Sequence, residues 1–321
     1  MKTIYLHIGL GKTGTTTIQK YMGHNFQVFL EHGLHYIQSS GGIHGAGHQS
    51  FAKSFIHQMP GYMQAPVNDV SDRNAVIGEI RECKEDNILL SSENFQLADP
   101  ERVKDFLDNI GLELQYKIIL FVRSQDELAE SEYNQMVKVR KEKRTFYSYV
   151  KSEFDGDFMR LASRWGKTFG ESNIICKIYN AKGYTVLADF FTCLPENIKK
   201  VKSTLPSIKG SSNKSLGYAQ LMIKRMLNIL QSSEADNEHV ELPDSFREIF
   251  ETIDIPPLLM NSAEARKFRK IYQKSNKKFN KRYLGKKSSE LGGSRYSDDE
   301  RNQHFQNCKD LANIFSIKGL T

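Results

Sequence analysis

The chain has 321 residues, 39% of them hydrophobic and 11% aromatic, with a formal net charge of +7. That apolar share suits a filled globular core and excludes a wholly disordered chain, and no apolar run is long enough to span a membrane. The basic balance favours anionic ligands: a nucleotide, an acidic glycan, a membrane surface or nucleic acid.

In chain order, residues 3–8 form an apolar, β-branched run entered directly from Met1. It is too short for a signal segment, so a cytoplasmic protein is expected. Similar runs at 87–91, 116–122 and 173–179 are hydrophobic throughout, as strands covered on both faces are. Between them, residues 15–30 set Ile18, Tyr21, Met22, Phe26 and Leu30 on one helical face. Further helices are predicted at 100–109, 125–150, 154–169, 213–230, 262–283 and 300–316. Strands alternating with helices predict an α/β fold, a three-layer parallel sheet flanked by helices, in a single domain over 1–321. Residues 39–72 are rich in Gly, His, Ser, Gln and Asn and read as a long, irregular, acceptor-shaping loop with room for a short helix. The four cysteines, Cys83, Cys176, Cys193 and Cys308, include no CxxC pair, which argues against a thiolate zinc site and for reduced thiols.

The sharpest pattern is His7-Ile8-Gly9-Leu10-Gly11-Lys12-Thr13-Gly14-Thr15-Thr16-Thr17, which follows a strand and opens a helix. Glycines let backbone N–H groups approach a ligand, the helix N-terminus attracts an anion, and Lys12 adds a full positive charge. The pattern departs from a nucleoside-triphosphate loop, GxxxxGK[ST]: counting from Gly9, the lysine position holds Thr15. A second element follows the strand at 116–122, where Arg123 stands at the end and Ser131 comes eight residues later. Ser124 and Glu127 have capping-box spacing, which places a helix start between them. Arg123 offers a fork of donors and Ser131 an orientable hydroxyl for one anion, whereas an Arg123 ion pair with Asp126 or Glu127 is the plainer alternative. A third element is Glu93, just past the strand at 87–91, where parallel sheets bind ligands; it suits a general base, or else a local cap or ion pair.

The loop resembles the 5′-phosphosulfate-binding loop of PAPS-dependent sulfotransferases, in particular the bacterial, carbohydrate-modifying type with its KTGTT core. The resemblance covers roughly residues 1–285 and implies the P-loop NTPase-like sulfotransferase fold. It implies that Gly11, Thr13, Gly14, Thr15 and Thr16 bind the 5′-phosphate of PAPS and that Lys12 contacts the oxygen bridging phosphorus and sulfur. It also implies that Arg123 and Ser131 hold the 3′-phosphate. Where some branches carry a catalytic histidine at the end of the preceding strand, this chain carries Glu93. The products would be PAP and a sulfated acceptor, without a metal. The bacterial-type resemblance and the basic surface direct the acceptor expectation to a saccharide or a glycolipid.

Seven of the nine histidines fall within the first 57 residues. They read mainly as polar loop residues, with His48 the candidate for acceptor contact; the His44-x3-His48 spacing is a poor metal site because Gly45 and Gly47 disfavour a helix. Trp165 reads as core packing and Asn213 as a helix N-cap. Residues 266–287 hold eleven Lys or Arg and no acid, within a basic C-terminal helical region at about 262–316. Phe268, Tyr272, Phe279 and Tyr283 recur there at helical spacing, predicting a packed inner face and a basic outer one. That outer face is either simply solvated or a contact for a membrane or a polyanion; nucleic acid is not expected. Two rivals stand beside the transferase: a P-loop kinase of a small molecule, and a non-enzymatic polyanion-binding module.

Overall fold

The computed structural model describes residues 1–44, 47–61, 63, 69–179, 185–201, 215–230, 255–291 and 295–314. They belong to two compact units with interleaved segments: 1–123, 157–212 and 274–292 form the first, and 124–156, 213–273 and 293–321 the second. Such interleaving leaves no linker of distinct composition, which is why the sequence reads as one domain.

The first unit is an α/β layer structure. Its five strands, β1 (Lys2–His7), β2 (Leu34–Tyr36), β3 (Asn87–Ser91), β4 (Leu114–Val122) and β5 (Ile174–Ile178), are all parallel, in the order β2-β3-β1-β4-β5. Four match the predicted strands. The three-residue edge strand β2 was missed, because it is too short to show a period.

Alternate residues of the sheet pack against opposite layers. Tyr5, Leu89, Ile119 and Phe121 join one layer with Ile18, Tyr21 and Met22 of α1 (Thr15–His24), Phe29 of α2 (Phe26–Glu31), and Phe190 and Phe191 of the helix Thr185–Phe191. The central strand residues of the opposite parity, Ile4, Leu6, Ile88, Leu90, Ile118 and Leu120, are likewise fully buried. The described part of the excursion at 39–72 holds the short helix α3 (Gln49–Lys53) and the first residues of α4 (Asp69–Glu82).

On the other side of the sheet the helix Phe158–Phe169 packs over β4, with Tyr116 edge-on to Phe169 at 5.1 Å. Trp165 is fully buried, stacked on Phe169 at 5.4 Å and edge-on to Phe95 at 6.2 Å, which makes it packing material, as the sequence suggests. This helix begins at Asp157, whose carboxylate accepts from the Arg160 N–H, and ends at Gly170 with φ 93°. The helix Gln273–Tyr283 buries Phe279 against Phe158 and exposes Lys274, Lys277, Lys278 and Lys281, the amphipathic arrangement expected.

The second unit is helical. The predicted helix 125–150 is two helices, Gln125–Arg140 and Phe146–Glu153, because Lys141 takes a left-handed conformation and Thr145 caps the second with its side chain. Ser124 stands at the first N-cap, but its hydroxyl bonds Asp126 and Glu127 accepts from the Arg295 N–H, so the expected capping box does not form. Similarly, the run 262–283 breaks at Tyr272. Tyr133, Phe146, Leu221, Met222 and Met260 form this unit's core. Beside it, buried Arg301 pairs with Glu130 at 2.9 Å, and the N–H groups of Leu259 and Met260 donate to the same carboxylate. The helix 213–230 is seen as Tyr218–Leu230; Asn213, its expected cap, lies outside the described residues. No helix among the described residues is long and apolar enough to cross a membrane.

Replacing Trp165 with Ala is expected to cost about 3–5 kcal/mol, the range for emptying a large aromatic site. Chemical denaturation measures it; a loss below about 1 kcal/mol would remove Trp165 from the core.

Candidate functional site

Three strand ends carry the candidate residues of the first unit. Strand β1 lies between β3 and β4, with His7 level with Ser91 on one side and Ile119 on the other. Beyond the strands, the Ser92 N–H donates to the His7 carbonyl at 3.0 Å and the Ile8 N–H to the Ile119 carbonyl at 2.9 Å. The carboxyl ends of adjacent parallel strands therefore present the loop 8–14, Glu93 and Arg123 along one edge of the sheet, where such sheets bind ligands.

The loop is folded onto one carbonyl. Thr13 and Thr15 both donate their hydroxyls to the Leu10 oxygen, at 2.7 and 3.3 Å. Gly14 takes φ 84° as the N-cap of α1, and a Cβ there would meet Val186 at 2.9 Å. The first i→i−4 bond of the helix runs from Ile18 to the Gly14 carbonyl, so the N–H groups of Thr15 and Thr16 have no carbonyl one turn earlier within the helix. Lys12 has φ 64°, a left-handed conformation that is strained for a side-chain-bearing residue. By contrast, a Cβ on Gly11 would meet nothing within 4 Å. Its lack of a side chain thus has no packing cause among the described residues.

Arg123 reaches this loop. Its Nη1 donates to the Lys12 carbonyl at 3.3 Å, and its guanidinium lies 5.5 Å from the Tyr179 ring centroid. The structure thus brings together two of the residues singled out in the sequence. Ser131 is half-buried on the helix Gln125–Arg140 and belongs to the second unit.

Glu93 opens a short turn, Glu93–Gln96, capped by the Ser92 hydroxyl. Its Oε2 accepts from Gln49 at 2.8 Å and from Gln19 at 3.3 Å. Gln49 also accepts from the Ser92 hydroxyl at 2.8 Å. Two amides therefore orient the carboxylate, and the sequence reading named neither. The signal for Gln19 was present: it is a polar residue on the buried stripe of α1, one turn after Thr15 and beside Ile18 and Met22.

His48 is fully buried. Its Nδ1 accepts from the Ser91 N–H at 2.9 Å, and its Nε2 donates to the Ile37 carbonyl at 2.8 Å. Both ring nitrogens are spent on backbone, so the geometry gives His48 a bracing role, in contrast to the acceptor contact expected of it. The sequence pattern could not show this, since a histidine that directly follows Gly45-Ala46-Gly47 reads as loop.

His7 is also fully buried, sharing a 2.8 Å hydrogen bond with the Ser91 hydroxyl through Nδ1. Its Nε2 has no hydrogen-bond partner among the described residues, and a Cβ on Gly9 would lie 2.6 Å from it. Burial pushes the His7 imidazole down to about 3, so it stays neutral at neutral pH. Unfolded, it would protonate near 6.5. Its contribution to stability is therefore whole above that pH and is lost as pH falls toward the folded value. His7→Gln is expected to flatten the unfolding free energy against pH between about 6.5 and 4, by up to about 1.4 kcal/mol per pH unit. An unchanged slope in denaturation series would mean that His7 protonates within the fold.

No family model matches the chain. A protein of Archaeoglobus fulgidus, named only as an uncharacterized protein, is 26% identical over 210 residues, covering 63% of this chain and 55% of that protein. The chain thus spans about half the length of the curated relative it matches. Among solved structures, it is similar to a sulfotransferase from Alicyclobacillus acidocaldarius, with a TM-score of 0.41, 13% identity and coverage of 80% of this chain and 94% of that one. It is also similar to mouse sulfotransferase SULT7A1 complexed with PAP, with a TM-score of 0.36, 13% identity and coverage of 85% and 84%. Both TM-scores lie below 0.5, so the functional reading is carried by the chain's own residues.

Proposed function

We propose that the chain is a PAPS-dependent sulfotransferase acting on a hydroxyl or amine of a saccharide or glycolipid. One observation carries the reading. Lys12 is held in a strained conformation on a strand-loop-helix turn, and its carbonyl is taken by Arg123 from the neighbouring strand end. Two cationic side chains from different strands are thereby tied to one loop, as a donor with separated anionic groups requires.

In this reading the 5′-phosphate lies against Gly11, the opening N–H groups of α1 and Thr16, while Thr13 and Thr15 shape the loop from behind. Arg123 reads the 3′-phosphate; the part of Ser131 rests on the sequence resemblance alone. The acceptor oxygen or nitrogen attacks sulfur in line as the sulfur–oxygen bond to the phosphate breaks. The leaving oxygen keeps the electron pair, and Lys12 neutralises its charge. The acceptor proton passes to Glu93, which Gln19 and Gln49 hold in place. The exposed lysines of 274–287 supply a basic surface for an anionic glycan or the membrane that bears it. A kinase reading is weakened by the loop itself, because Thr15 occupies the lysine position and turns its hydroxyl onto Leu10.

Calorimetric titration with PAP, ADP and magnesium-ATP tests the donor site. Tight, magnesium-independent binding of PAP with much weaker ADP is expected; a preference for magnesium-ATP with no PAP binding would sink the proposal. Lys12→Gly is expected to relieve backbone strain of about 1 kcal/mol, raising stability while abolishing transfer. Glu93→Gln should retain PAP affinity and lower kcat about 10²–10⁴-fold. Full activity in Glu93→Gln would remove it as the base.

A further inference from the structure

Away from these strand ends, His35 on edge strand β2 meets the chain between α4 and β3. Its Nδ1 lies 3.3 Å from Glu85 Oε2, and the ligating atoms of His35, Cys83 and Glu85 all lie within 4.8 Å of one another. The opposite ring nitrogen, Nε2, is 2.7 Å from Glu79 Oε1. Glu79 is itself fixed by the N–H groups of Gln38 and Ser39, at 2.7 and 2.9 Å. A carboxylate so placed accepts from Nε2–H, and the neutral imidazole then keeps its Nδ1 lone pair facing Glu85. Two acceptors at that distance need a proton or a metal ion between them.

We propose that His35, Cys83 and Glu85 form a binding site for a borderline-soft divalent cation of the zinc type, with Glu79 orienting the histidine from behind. The donor set of one imidazole, one thiol and one carboxylate is the mixture such ions take, and a carboxylate behind a ligating histidine is their usual support. Tetrahedral bonds of about 2.0–2.3 Å need ligand atoms somewhat closer than the outer separation here, so the three side chains close slightly on binding. A surface cavity of about 410 Å³, lined in part by His35, Glu79, Glu82 and Cys83, gives ion and water an entry path.

Lys2 donates to the carbonyls of Cys83 and Glu85, both at 2.8 Å, and so holds the segment bearing two of the ligands; its ammonium is 3.7 Å from the Cys83 sulfur. On binding, the Cys83 thiol proton leaves to solvent as the sulfur–metal bond forms. The ion would clip edge strand β2 to the end of α4 and the entry of β3. This site is independent of the donor-site reading.

The test uses the full chain, reduced and stripped with a chelator, titrated with zinc by calorimetry and with cobalt(II) by absorption. One equivalent of zinc, a raised thermal midpoint and a thiolate-to-cobalt charge-transfer band are expected. The band should vanish in Cys83→Ser, and Glu79→Gln should weaken zinc binding about 10–100-fold, with circular dichroism and an intact cooperative unfolding transition confirming that both variants fold. Absence of the band at millimolar cobalt, or its survival in Cys83→Ser, would overturn the proposal and leave His35 as a hydrogen-bonded link between Glu79 and Glu85.

Discussion

Ser91, at the end of β3, joins the elements around the site through a buried polar network. Its N–H donates to His48 Nδ1, its carbonyl accepts from the His48 N–H and from Gln19, and its hydroxyl bonds His7. Each of these residues is buried, so each bond lost leaves a polar group without water to replace it. The network ties β1, β3, α1 and the entry of α3 into one arrangement. Two residues beyond Ser91, the chain places Glu93; two residues beyond His7, it places Gly9. The positions of the candidate base and the anion loop thus follow from the same set of bonds.

Parallel pairing does the rest within the first unit. Because β1 is bonded on both sides, β3 and β1 end level and β4 runs on past Ile119 only to Val122, so loops leaving these ends need no long reach to meet. The Arg123 bond to the Lys12 carbonyl expresses that economy: two residues 111 positions apart are neighbours because their strands are. Apolar burial on both faces of the sheet stabilises the frame, while the strained Lys12 backbone is the local cost of presenting an ammonium at the loop tip.

The second unit solves a different problem. Its helices bury Asp126, Glu130 and Arg301, and the carboxylates are satisfied by arginine and backbone donors. Ion pairs of this kind add little net stability compared with apolar packing but penalise any arrangement that leaves one partner alone. Ser124 is drawn from the capping role that its spacing suggests by its bond to Asp126, and Glu127 by the Arg295 backbone N–H.

Much of the molecule was legible in the sequence because the relevant signals are local. Continuous apolar runs marked four of the five strands, and the glycine, lysine and threonine run marked the loop where a strand meets a helix. Arg123 and Glu93 could be placed at strand ends by counting along those runs. Tertiary structure decided what depends on partners far away in the chain. The three-residue strand β2 exists because β3 offers it an edge, not because of its own pattern. His48 became a brace, and Gln19 and Gln49 became the holders of Glu93, only once folding set them beside Ser91, Ser92 and Glu93. Likewise His35, Cys83 and Glu85 share no motif spacing; packing of an edge strand against a helix end made them a cluster. Periodicity reports which face of an element is buried, but hydrogen-bond partners more than 40 residues apart are chosen by the fold.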